Sequence, residues 1–179
     1  TPNPVVTADY DTAPDGTLTA DRVVMSLSGD TQWNVARCLH VSPNAASGVK
    51  LVQSVWLKAS NVGQVGKKVS VYCVQSAYLT VYNATLTSDW VRHEVVQTLL
   101  NNTTIEVVFG KARTTVGGAL QSEMATDFLM WGAQFENVTG MADQSASKYI
   151  PTGATTASLW YDTAPDGNLL RPIGWQDGR

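Results

Sequence analysis

Lys50-Leu51-Val52-Gln53-Ser54-Val55-Trp56-Leu57-Lys58-Ala59 is the run whose reading decides the fold. Successive side chains of an extended strand point to opposite faces. Leu51, Val55 and Leu57 therefore share an apolar face, while Val52, Ser54, Trp56 and Lys58 share the other. The same two-residue alternation recurs at Thr19–Leu27, Trp33–Val41, Val69–Gln75, Tyr78–Tyr82, Trp90–Thr98, Thr104–Gly110 and Asp127–Glu136. Breaks fall at Ser42-Pro43-Asn44, Gly63–Lys68, Asn101-Asn102 and Gly117-Gly118, and no long helical stripe interrupts the pattern. Eight such runs predict an all-β chain folded as a two-sheet antiparallel β-sandwich. Leu120–Thr126 has little β-branching and reads as a helical turn or a loop.

Outward from these strands lies a repeat. Tyr10-Asp11-Thr12-Ala13-Pro14-Asp15-Gly16-Thr17-Leu18 returns as Tyr161-Asp162-Thr163-Ala164-Pro165-Asp166-Gly167-Asn168-Leu169, with Asn168 in place of Thr17. An echo of that length has a structural or evolutionary cause. Either one module is followed by the opening of a second, or the two ends of one module do similar work. Ala-Pro-Asp-Gly is a type I turn signal, since Pro presets φ and Gly closes the turn. Asp11, Asp15 and Asp21 could instead offer oxygens to a structural calcium ion, although their spacing matches no known calcium loop; no other cofactor is expected. Residues 1–152 form the predicted module. Ala154–Ser158 reads as a small polar linker within an extension, 153–179, that carries the second copy.

Composition narrows the function. The 179 residues are 44% hydrophobic, enough for one sizeable core, and carry a net charge of −3 with 15% charged residues. That balance offers no basic field for nucleic acid or an anionic membrane surface. No apolar run approaches the roughly 18 to 20 residues of a membrane helix, and Thr1-Pro2-Asn3-Pro4 lacks a signal segment. A soluble chain is expected. Cys38 lies opposite its apolar neighbours while Cys73 shares the face of Val69 and Val71, so two separate thiols are read rather than a disulfide.

Several segments together resemble the carbohydrate-binding-module-like jelly rolls of phage and prophage tail, fibre and other virion proteins. Ala13-Pro14-Asp15-Gly16-Thr17-Leu18-Thr19-Ala20-Asp21 is similar to that family's opening, Val55-Trp56-Leu57-Lys58-Ala59 to its central strand, and Leu86-Thr87-Ser88-Asp89-Trp90-Val91-Arg92 to its Thr-x-x-Trp-x-Arg segment. Trp131-Gly132-Ala133-Gln134-Phe135-Glu136 followed by Ala146-Ser147-Lys148-Tyr149-Ile150-Pro151-Thr152 resembles its two-part ending. The resemblance implies a jelly-roll sandwich, non-catalytic, on an extracellular virion particle, with other virion subunits, a second copy of itself or a cell-surface glycan as partners. The chain departs from the family's pattern after its second Ala-Pro-Asp-Gly, where Asn168-Leu169-Leu170-Arg171-Pro172 replaces a Thr-Ala-Asp segment.

Catalytic constellations are thin. His40 and His93 stand apart from metal-ligand spacings, and no Gly-x-Ser-x-Gly elbow occurs. Glu94, Glu106, Asp127 and Glu136 are strand-borne carboxyl groups, but nothing selects a pair at glycosidase spacing. Sugar recognition instead asks for exposed aromatics beside polar groups on a rigid sheet. Alternation nominates Trp56, Tyr72, Arg92 and Gln134 for one such face, with a Trp56 covered by a loop as the alternative, and assigns Leu129, Trp131, Ala133 and Phe135 to the core side. The rival is a virion structural role in assembly or attachment. Trp160, Tyr161, Leu170, Ile173 and Trp175 make the extension apolar enough to serve as a docking interface.

Overall fold

The computed structural model describes residues 4–25, 37–42, 47–74, 81–100, 105–111, 122–150, 157–163 and 169–177. Eleven strands follow one another: β1 Val5–Thr12, β2 Leu18–Val24, β3 Arg37–Ser42, β4 Lys50–Ala59, β5 Lys68–Val74, β6 Tyr82–Thr85, β7 Val91–Thr98, β8 Ile105–Lys111, β9 Asp127–Asn137, β10 Ala157–Thr163 and β11 Leu169–Asp177. A single 3-10 turn, Val62–Gln64, is the one helical element among the described residues. Asn61 caps it, its side-chain oxygen accepting from the Gly63 amide at 3.0 Å.

One sheet runs β1-β2-β9-β4-β7 and the other β3-β8-β5-β6, with every pairing antiparallel. Strand β2 pairs with β9, β3 with β8, β4 with β7, and β5 with β6. The first half of the chain thus lies along the second half read backwards, and the long double strand is rolled so that its pairs alternate between sheets. That nesting is the jelly roll. β1 adds a further edge strand through its hairpin with β2, while β10 and β11 form a separate two-stranded sheet.

The core fills the space between the sheets. Val23, Leu51, Val55, Leu57 and Phe128 enter from the five-stranded sheet, and Val69, Val71, Ala84 and Phe109 enter from the four-stranded one. On β7, His93 is buried on the core-facing side, and its Nδ1 lies 3.2 Å from the Tyr82 hydroxyl of β6. This contact links the edge strands of the two sheets. Burial holds the His93 imidazolium pKa below its usual range, so the ring bridges that edge in its neutral form.

Several expectations shift. β1 was invisible to alternation because all but one of its side chains are exposed. Residues 78–80 lie outside the described residues, and β6 begins at Tyr82, where Val71↔Tyr82 and Lys68↔Thr85 fix its register. Of the stretch read as a helical turn or a loop, the described residues 122–125 run as a loop against β5. The Lys68 amide donates to the Glu123 carbonyl and the Ala125 amide to the Lys68 carbonyl, each at 2.7 Å, tying that stretch to β5. Cys38 pairs across to Phe109 and Cys73 to Val107, on opposite sides of β8. Two strand spacings, about 9–10 Å, exceed disulfide reach.

Candidate functional site

The site begins at a flaw in the alternation of β9. Across from β4, Trp56 faces Trp131 and Ser54 faces Gln134, so Gly132 and Ala133 together oppose Val55. Gly132 takes φ +61°, the left-handed geometry of a bulge that opens with glycine. A bulge of one residue reverses which side chains face inward. Before it Phe128 and Met130 point to the core and Leu129 and Trp131 outward; after it Phe135 points inward and Gln134 and Glu136 outward. The sequence expectation that placed Leu129, Trp131 and Ala133 on the core side is corrected here. An interior glycine in a strand of large side chains was the signal for the bulge.

The bulge serves a second purpose. A Cβ on Gly132 would lie 3.2 Å from Tyr149 Cδ2 and 3.3 Å from Trp56 Cδ1, so two rings close over bare backbone. Tyr149 also meets Trp131, with ring centroids 4.4 Å apart and planes tilted by 53°. Tyr149 arrives on the closing segment 141–150, which crosses the outer face of the five-stranded sheet as a strap. Gln134 fastens it from both ends of its amide, its Nε2 donating to Ser147 Oγ at 2.9 Å and its Oε1 accepting from the Ile150 amide at 3.0 Å. Glu136 accepts from the Ser147 amide at 3.1 Å and Glu94 from the Ala146 amide at 3.0 Å. The two halves of the closing signature are thus one device: a strand and the strap it holds.

Beside the strap, the β1–β2 hairpin and β9 enclose a cleft of about 450 Å³. Asp15, Thr17, Thr19 and Asp21 form one wall, and Trp131 and Tyr149 the other. The first copy of the repeat supplies the turn, with the Gly16 amide donating to the Ala13 carbonyl at 2.9 Å. A relay of hydrogen bonds joins the walls. Trp131 Nε1 donates to Thr19 Oγ1 at 3.0 Å, Thr19 and Thr17 hydroxyls meet at 2.6 Å, and Thr17 Oγ1 donates to Asp15 Oδ1 at 2.7 Å. The hydroxyl and amide of Thr17 hold the Asp15 carboxyl below the usual carboxylate range. Burial, helped by the Asp15 charge, raises the Tyr149 phenol.

The nominated residues divide between the two sheets. Trp56, Arg92 and Gln134 are brought together on the outer face of the five-stranded sheet: Trp56 is opposite Arg92, and Arg92 Nη2 donates to Ser54 Oγ at 3.0 Å. Tyr72 is not with them. It belongs to the four-stranded sheet, is 3% exposed, and shares its side of β5 with Ser70 rather than with the core residues Val69 and Val71. The expected single four-residue face is corrected accordingly. Trp56, Arg92 and Gln134 are each half-buried, and Val52 and Ser54, flanked by the strap's anchors Gln134, Glu136 and Glu94, are wholly buried on the same side. Trp131 and Tyr149, not nominated from sequence, are the aromatics that line the cleft.

The carboxylates have other engagements. Asp127 makes a two-pronged contact with Arg22, whose Nε donates to Oδ1 at 2.9 Å, and that pairing lowers the Asp127 pKa. Asp11 accepts from Lys58 at 3.2 Å and Asp21 from the Asp9 amide at 3.3 Å. Asp11, Asp15 and Asp21 are not gathered into a cation site, and no group of three metal-ligating side chains occurs among the described residues.

The second copy of the repeat keeps the paired strands and, in sequence, changes three of the four wall residues while Asp166 matches Asp15. Thr163↔Leu169 closes the β10–β11 pair as Thr12↔Leu18 closes β1–β2. Yet Asn168, Leu170 and Pro172 stand where the first copy has Thr17, Thr19 and Asp21. Trp160, Tyr161, Leu170, Ile173 and Trp175, nominated as an interface, all lie on this hairpin, with Trp160 opposite Gly174 and Tyr161 opposite Pro172; their side chains are outside the described ones.

Fold and site together define a jelly-roll β-sandwich with an aromatic and acidic cleft between its β1–β2 hairpin and β9. Among solved structures, the chain is similar to the enzymatically active domain of tailspike protein 4 of bacteriophage CBA120, with a TM-score of 0.50 and 11% identity over 76% of this chain. It spans 18% of that chain's length, and the likeness is one of fold. A CBM4 structure aligns with a TM-score of 0.47 and 15% identity, over 74% of this chain and 84% of that one. No family model and no curated protein sequence matches the chain.

Proposed function

We propose that this chain is a non-catalytic glycan-binding module, carried on a phage-type virion protein and used in attachment to a cell surface. The observation that supports it is the cleft, which sets the tilted Trp131–Tyr149 pair against the hydroxyls and carboxylates of the β1–β2 hairpin. A sugar ring has an apolar face that packs on an aromatic ring and an equatorial rim of hydroxyls that bonds to polar groups. Both kinds of surface meet here at one place. Glycan-array binding followed by calorimetry tests the reading. Trp131→Ala is expected to weaken a bound glycan by about tenfold or more, as loss of roughly 1.4 kcal/mol of ring contact implies. A folded chain that binds no glycan, or binds equally well as Trp131→Ala, would overturn it.

A second reading, assembly into a virion component, is favoured by the terminal hairpin. β10–β11 repeats the closing register of an edge hairpin that, in the sandwich, has a neighbouring strand to pair with. Docking on another subunit would give β11 the kind of partner that β9 gives β2. Light scattering on the full chain and on a chain ending at Thr152 separates the roles: an oligomer that becomes a monomer on truncation supports assembly, and a monomer in both forms removes that support.

A further inference from the structure

Hydrogen-bond directions are fixed along the hairpin wall of the cleft. Thr17 has one hydroxyl proton, and it goes to Asp15 Oδ1. The proton between the two threonines therefore comes from Thr19, which in turn accepts from Trp131 Nε1. Every donor of that relay is spent within the wall. What the hairpin wall leaves toward the cleft are acceptors, the Asp15 and Asp21 carboxylate oxygens outside their bonds to Thr17 and the Asp9 amide, and they face the Tyr149 hydroxyl on the other wall. No lysine or arginine lines the cleft among the described residues, and Arg22 is occupied by Asp127 and Tyr10.

Resting on the glycan-binding reading, we infer that the cleft selects sugars that present donors, and amino sugars with a free ammonium group above all, while rejecting uronic and sulfated sugars. An ammonium group supplies three donors and a positive charge to a wall that has only acceptors and negative charge. A sugar carboxylate or sulfate brings more acceptors and a like charge, with no cation to receive it.

Calorimetry on the full chain with short oligomers of matched length tests this, using glucosamine, glucose and glucuronate units and the corresponding galacto series, in mildly acidic low-salt buffer that keeps the amines protonated. Amino-sugar oligomers are expected to bind about tenfold tighter than neutral ones, an advantage that shrinks as salt screens the charges. Uronate oligomers should bind weakest. Asp15→Asn with Asp21→Asn retains an oxygen for Thr17 and the Asp9 amide, and should bring amino and neutral oligomers within about twofold of each other. Glu123→Gln, an exposed acid outside the cleft, should leave the order unchanged. Uronates that bind as tightly as amino sugars, or a preference that survives the double substitution, overturn the inference while Trp131-dependent binding of neutral oligomers still supports the module's function. Absence of Trp131-dependent binding to any oligomer overturns both.

Discussion

Phe128→Ala is expected to cost about 3–5 kcal/mol of stability. Phe128 is wholly buried and is the largest of the fully buried side chains among the described residues. It stands opposite Val23 on β2 and Ala59 on β4, on the inner side of β9, the central strand of the five-stranded sheet. Two features prevent the gap from closing. The strands on both sides are held in register with β9, and the second sheet contributes Val69 and Val71 to the same buried cluster. A truncated side chain there leaves a cavity as well as losing its transfer energy. Domains of this kind are stable by about 5–15 kcal/mol in all, so one substitution removes a large share. Urea unfolding followed by tryptophan fluorescence should show a lowered midpoint with little change in slope. A cost below about 1 kcal/mol would contradict the placement of Phe128 at the centre of the core.

How much of this was legible in the sequence depends on the local chemistry of each strand. β4 was readable because it is central and unbroken: Leu51, Val55 and Leu57 are buried on one side as alternation required. β1 was not, because an edge strand exposed on both faces carries no alternation, and its register slips twice, with Asp9 at φ +51° between Thr7 and Asp11. β9 was readable as a strand but not in its facing. Period-two reasoning carried through Gly132 assigns Trp131 to the core, whereas the bulge turns it outward to line the cleft. The cleft itself joins residues far apart in the chain: Asp15 and Thr17, read as an ordinary turn, and Tyr149, read only as part of a closing motif. Turn chemistry does not reveal what the turn leans against. The strap was similarly hidden, since a segment without secondary structure holds its place through side-chain bonds to Gln134, Glu136 and Glu94 that no local pattern encodes.

That dependence makes Gln134→Leu the sharpest test of how the site is built. Leucine fills similar volume but removes the donor to Ser147 and the acceptor for the Ile150 amide. Each neutral hydrogen bond contributes about 1 kcal/mol net, and water can reach the half-exposed strap to satisfy what is left, so the expected loss is about 2 kcal/mol. The loss falls on opening of the strap more than on the sandwich, because Gln134 faces away from the core. Lys148 lies in the strap between Ser147 and Tyr149, which gives the opening a direct reporter. Trypsin cleavage after Lys148 should rise by roughly thirtyfold, the population change that 2 kcal/mol implies, while the unfolding midpoint of the remainder moves little. Tyr149 leaves with the strap, so the cleft loses half of its aromatic wall, and under the proposed function glycan affinity should fall with the rise in cleavage. Cleavage after Lys148 that stays at the parent rate would mean the strap is held by its other contacts alone, and that Gln134 is not the clasp joining the two parts of the closing signature.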